Sequence, residues 1–205
     1  PTSATAAQNY TLTGGPTVVS AVLDANDPSV VILTTTPQMF GTVYNLTASG
    51  VRDVFDNPGT SSAPFRSSIL IDGDFEDWGG IGPIVSIPQE NPGTPEFKDF
   101  YLANDSDYLY LRFSFHEPVG PLPTDHYYHI YLDADHNASS GRAAAAIGIE
   151  VMIENGAGYQ QKNGGFNEGG VDGLDLQLAP ESQATEFECR ISRQAVYAAD
   201  GQPVF

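Results

Sequence analysis

Cysteine is almost missing from this chain. Cys189 stands alone, so no intrachain disulfide can brace the fold, and stability has to come from a buried core, with a bound metal as the other source of support. Lysine is nearly as scarce: Lys98 and Lys162 are the only two, and 8 basic against 26 acidic side chains leave a formal charge of −18. A nucleic acid or an anionic membrane would meet repulsion rather than steering, which argues against both as partners. Cations and neutral ligands stay compatible, and the acidity by itself serves solubility in saline or calcium-rich surroundings. No apolar run reaches bilayer-spanning length, so no membrane insertion is expected. Catalytic signatures are also lacking. His116, His126, His129 and His136 form no H-E-x-x-H pattern, no G-x-S-x-G elbow occurs, and one cysteine cannot supply a C-x-x-C zinc pair. Acidic pairs are as frequent as so acidic a composition demands and single out no catalytic carboxylates. The chain is not expected to be an enzyme.

Helix-type apolar periodicity is the last thing missing, and what replaces it is alternation. In "YLYLRFSF" Leu109, Leu111, Phe113 and Phe115 fall on one face and Tyr108, Tyr110, Arg112 and Ser114 on the other, the period of two that half-buried strands need. "EFECRI" sets Phe187, Cys189 and Ile191 inward against Glu186, Glu188 and Arg190. "IGIEVMIE" sets Ile147, Ile149, Val151 and Ile153 inward against Glu150, Met152 and Glu154. With 21 glycines and 15 prolines punctuating such segments, the chain reads as all-β.

Two modules are expected. The first, residues 1–65, contains "PTVVSAVLD", "SVVILTTTP" and "GTVYNLTASGVRD", joined by short turns in the hairpin rhythm of a sandwich and followed by "VFDNPGTSSAPF", a polar exit segment. "NYTLTGG", "VVILTTTP" and "YNLTASGVRDVFDNP" resemble the second half of a bacterial Ig-like domain, over residues 8–60. That family begins with two further strands, so the resemblance implies an incomplete Ig-like sandwich. The second module, residues 66–205, carries "ILIDGDFEDWGGI", "FKDFYLANDSDYLYLRFSFHE", "HYYHIYLDADHNASSGR", "AIGIEVMIENG" and "TEFECRISRQAVY" in that order. The ordered set resembles the family 9 carbohydrate-binding modules and their relatives. The resemblance implies a jelly-roll or sandwich module lacking its last strand or strands. Open sheet edges are then expected along "PTVVSAVLD" and "TEFECRIS", where neighbouring copies of the chain could pair.

The stretch "YLDADHNASSG", residues 131–141, follows a strand and alternates Asp133, Asp135 and Asn137 with Ala134 and His136. Oxygen donors at every second residue converge when a backbone curls, which is how short loops wrap calcium. An EF-hand is excluded, because Ala138 and Ala144 stand where its glycine and glutamate would be. Two readings stay open: an Asx-type turn satisfying its own backbone, or a structural calcium site of Asp133, Asp135 and Asn137 completed by a carboxylate from elsewhere. Relatives of the resembled family carry a similar D-x-D-x-N segment and often bind calcium. "DGDFEDW", with Asp72, Asp74 and Asp77, reads better as a solvated turn.

Sugar binding needs flat aromatic faces plus polar groups that fix hydroxyls. Trp78 belongs to the opening "D-W" signature and is expected to plug the sandwich, and one tryptophan cannot reproduce the paired-tryptophan clamp of the resembled family. Tyrosines are the substitutes: Tyr127, His129 and Tyr131 share one strand face, and Tyr159 and Phe166 are placed in the glycine-rich loop "GAGYQQKNGGFNEGG". Packing beneath a loop is the competing account of the strand tyrosines. N-x-S/T sequons stand at Asn9, Asn45, Asn104 and Asn137 and matter only where the source glycosylates. Together these features lead to a non-catalytic, calcium-stabilised carbohydrate-binding and spacer region of a large secreted or cell-surface microbial protein, with a polysaccharide or glycan as partner. The alternative is a structural subunit of an extracellular filament or surface layer that assembles by strand complementation.

Overall fold

In a computed structural model, which describes residues 3–53, 55–122, 128–144, 146–166 and 169–205, the chain is all-β, built from antiparallel sheets. It divides into two compact units, one of Pro1–Leu70 with Phe75–Gly80, the other of Ile71–Asp74 with Ile81–Phe205.

The first unit contains β1 (Tyr10–Leu12), β2 (Val18–Leu23), β3 (Val31–Thr35), β4 (Val43–Arg52) and β5 (Pro58–Arg66). β2 and β3 form a hairpin; β1, β4 and β5 form a sheet with β4 in the middle. The segment expected to be a polar exit is therefore a strand. β5 pairs with β4 along nearly its whole length, from Arg52↔Pro58 to Val43↔Arg66. Its composition hides this, because Pro58 and Pro64 are tolerated only on an edge strand, where an unused amide costs no ladder bond. β5 is such an edge, and it is exposed almost throughout.

The second unit is a sandwich of two five-stranded sheets. One has the order β15 (Gln177–Ala179), β16 (Ala184–Ser192), β8 (Tyr108–Val119), β7 (Phe97–Asn104) and β6 (Val85–Ser86). The other runs β17 (Val196–Tyr197), β14 (Gly170–Asp172), β13 (Ala157–Gln160), β12 (Val151–Glu154) and β9 (His129–Leu132). A separate hairpin joins β10 (Arg142–Ala144) to β11 (Ile147–Ile149). Val151, Ile153, Val171 and Ile191 pack with Leu109, Leu111 and Leu132 between the sheets, and a second cluster gathers Phe113, Phe187, Cys189 and Val119. Burial pushes the Cys189 thiol up to about 12, in keeping with a core residue.

Three expectations change. "TEFECRIS" is no open edge: β16 is an interior strand held by β15 on one side and β8 on the other. Ile147 does not join the inward row: it lies exposed at the start of β11 in the β10–β11 hairpin, whereas Ile149 is buried. The outward row of the β8–β16 pair is not a solvated face. Glu188 is fully buried, accepting the amides of Asp72 at 3.0 Å and Gly73 at 2.7 Å, and Tyr110 is buried with its hydroxyl donating to Asp105. Alternation reported which way these side chains point, and a segment far earlier in the chain, Ile71–Asp74, covers Glu188 on the outward face.

Candidate functional site

β9 ends at Leu132, and the chain turns at once through the acidic loop. His136 takes a left-handed backbone, φ 55°, which curls the loop so that the Asn137 amide donates to Asp133 Oδ1 at 3.1 Å and to Asp135 Oδ1 at 3.0 Å. The Asn137 side-chain oxygen accepts from the Ser139 amide at 3.1 Å. Asn137, expected as a third ligand, thus offers its amide to the carboxylates and turns its side-chain oxygen to its own turn. The third carboxylate is Glu150, at the mouth of β12. Its amide donates to Leu132 O, its carbonyl accepts from Gln161, and its Oε2 accepts the Ala134 amide at 2.9 Å. The Gly148 amide donates to Asp133 Oδ2 at 3.3 Å.

One oxygen from each of Asp133, Asp135 and Glu150 lies within 4.8 Å of the others. Oxygens bound to a common calcium at about 2.3–2.6 Å lie no more than about 5 Å apart, so this triad fits that ion. Among the described residues no lysine or arginine pairs with these carboxylates, whose mutual repulsion at such spacing is about 1–3 kcal/mol per pair. Ser140 sharpens the point. Its Oγ lies 3.0 and 2.8 Å from the two Asp135 oxygens, 2.8 Å from Asn137 O and 3.1 Å from Glu150 Oε1. A hydroxyl has one proton to give, so the cluster holds more lone pairs than donors, and a hard cation is what balances such an excess. Two glycines make the crowding possible. A side chain at Gly141 would fall on Glu150 Oε1, and one at Gly148 on the carbonyl oxygens of Ser140 and Asn137.

The aromatic residues divide differently from expectation. The register Tyr131↔Met152↔Tyr159 sets these three side by side across β9, β12 and β13, on the face opposite Val151 and Ile153. Tyr159 therefore sits on a strand, not in the glycine-rich loop. His129 Nε2 donates to Glu154 Oε1 at 2.7 Å, leaving Nδ1 to accept the Tyr131 hydroxyl at 3.1 Å. This chain of hydrogen bonds fixes the Tyr131 ring, which is 43% exposed. Phe166 is buried, its ring 6.2 Å from that of Tyr131 and under the Arg142 guanidinium. It supports the surface instead of forming it. Trp78 is buried but groups with the N-terminal unit instead of plugging the sandwich, and Tyr127 lies outside the described residues. Asp72 and Asp77 accept from the nearby amides of Asp74 and Leu70, as a turn requires. Of the sequons, Asn104 and Asn137 are exposed, whereas Asn9 and Asn45 donate to Ser3 O and Ser62 Oγ.

Glu150, Ser140 and Gly148 were missed in the sequence. The available signal was a carboxylate in the outward row of "IGIEVMIE", Glu150, at the point where an antiparallel return brings it back to the loop. No protein-family model, curated protein or solved structure matches the chain.

Proposed function

We propose that the sandwich unit is a calcium-stabilised, non-catalytic carbohydrate-binding module of an extracellular or cell-surface protein. The observation that carries this reading is the convergence of Asp133, Asp135 and Glu150 around the single hydroxyl of Ser140. Three carboxylates, two from one loop and the third brought from a separate strand, make a site for a hard cation, and sites of modest affinity fill where calcium is abundant, outside the cell. The loop begins two residues after Tyr131, so an ion there would brace the strand that presents the aromatic row. Neighbouring strands lie about 4.8 Å apart, which puts Tyr131 and Tyr159, two strands apart, at about 10 Å, close to the length of a disaccharide. Glu154 and His129 supply polar groups at the margin of that row.

Calorimetry with calcium chloride, and thermal melts with and without chelator, test the ion. Heat of binding and a chelator-sensitive melt are expected; a melt indifferent to chelator and no heat would reduce the loop to an Asx turn. Affinity electrophoresis on a panel of neutral polysaccharides tests the surface, with Tyr131→Ala and Tyr159→Ala each weakening retardation. Retardation unchanged in both variants, on a polysaccharide the parent does bind, removes the aromatic row from the proposal while leaving the calcium site standing.

A further inference from the structure

The two sheets of the sandwich do not end together. Ile130 of β9 belongs to both core clusters, packed in each beside Leu111 of β8. Beyond β9 its sheet stops, whereas the opposing sheet continues through β7 and β6. The overhang opens a cleft of about 500 Å³, walled by Phe97, Phe100, Phe113 and Phe115 on one side and Tyr128 and Ile130 on the other. Phe97 is 44% exposed. Among the described residues no strand pairs with the outer edge of β9. A free edge beside an aromatic cleft suits an extended segment that bonds to the edge and lays alternate apolar side chains over β7.

The chain carries a matching element. β2 and β3 pair only with each other among the described residues, with β2 lying against β1 and the turn Ala7–Asn9. Val19, Val22, Val30 and Ile32 of this hairpin are 45–62% exposed. The hairpin's two carboxylates, Asp24 and Asp27, stand in its turn, whereas residues 16–23 and 28–37 contain no charged side chain, and no carboxylate lines the cleft. Charge decides between occupants. Two copies of a molecule of net charge −18 repel wherever their acidic surfaces meet, and these two uncharged apolar patches can meet without that cost. We infer that a second copy of this chain docks its β2–β3 hairpin into the cleft beside β9. Donor and acceptor are different patches, so the contact is heterologous: every copy keeps one of each, and the assembly grows head to tail. The inference does not rest on the calcium and glycan reading, although His129 and Tyr131 line both the cleft and the aromatic row.

Sedimentation velocity of the full chain, over a range of concentrations at 0.01 M and 0.15 M salt, tests it. Association is expected to rise with concentration and to be stronger at the higher salt, as the Debye length falls from about 30 Å to about 8 Å. Ile32→Lys on the hairpin and Phe97→Lys in the cleft should each be monomeric where the parent associates. Both reduce the net negative charge, so the loss cannot come from added repulsion. An equimolar mixture of the two should give a heterodimer and nothing larger, because each variant retains one half of the contact. Val22→Lys and Pro95→Lys take their places if circular dichroism shows either to be unfolded. A parent that is monomeric at both salts overturns the inference, including one whose cleft instead takes up an apolar fluorescent probe. Variants that associate like the parent overturn it as well, as does a mixture that stays monomeric.

Discussion

Both units of the chain are made of short antiparallel strands, yet their interiors differ sharply. In the sandwich unit Val151, Ile153, Phe187, Cys189 and Ile191 have no exposed surface. In the N-terminal unit the β2–β3 hairpin is also rich in valine and isoleucine, but only Ala21 of it is buried. β-branched composition and alternation decide that a segment is a strand. Whether its apolar face is worth free energy depends on a second layer arriving to cover it. The sandwich supplies that layer across most of its width, whereas the hairpin is covered only in part, with Leu23, Val31 and Leu33 half-buried.

The largest expected effect tests this contrast directly. Phe187→Ala removes a ring packed against Phe113, 5.8 Å away, and should cost about 3–5 kcal/mol in urea denaturation. Val22→Ala on the hairpin should stay within about 0.5 kcal/mol; equal costs would erase the distinction between the units. Next in size is the ion. Calcium at a hundredfold excess over its Kd should add about 2.7 kcal/mol to the sandwich unit, and Glu150→Gln should abolish most of that gain without lowering stability in chelator.

A smaller effect is expected at alkaline pH. Burial, with the adjacent Glu188 charge adding to it, raises the Cys189 thiol from 9.0 to about 12. A group whose folded pKa is raised favours the folded state below its unfolded value and loses that contribution as pH climbs, so the sandwich unit should weaken between about pH 9 and 12. Cys189→Ala should flatten this slope relative to the parent, and thiol reagents should leave Cys189 untouched until the unit unfolds. The smallest effect lies at the acid end. Hydrogen bonds from the Asn91 side chain and from the amides of Glu90 and Asn91 hold Glu96 below the usual carboxylate range. The contribution of this exposed turn is present above the ordinary glutamate pKa and lost as pH falls through the lowered one. Amide exchange at Glu90 and Asn91 should quicken over that interval, while the core amides of β12 stay protected.

The strands were largely legible in the sequence, and their limits show why. Alternation in "YLYLRFSF" and "EFECRI" gave the facing of β8 and β16 correctly, and Phe113↔Phe187 indeed sit side by side. It could not say that β16 lies inside its sheet or that Glu188 is covered, since both depend on segments distant in the chain. β5 escaped notice because exposed edge strands need neither alternation nor apolar residues. At the candidate metal site, Asp133 and Asp135 were legible from their spacing alone. The turn that hands the Ser139 amide to the Asn137 side-chain oxygen was not legible, and Glu150 was missed because its part depends on the return of another strand.

The interleaving of the units has a consequence for anyone who would cut the chain. Ile71–Asp74 belongs to the sandwich, although the residues on both sides of it belong to the N-terminal unit, so neither unit is a continuous stretch that an expression vector could excise. A fragment starting at residue 66 carries Trp78 away from the unit with which it folds. A fragment starting at residue 81 loses the Asp72 and Gly73 amides, and with them two donors to the buried Glu188. Each donor lost from a buried carboxylate costs about 1–3 kcal/mol or more. Truncation libraries scanned in steps of a few residues across 66–81 should therefore show no soluble optimum, whichever unit is being sought.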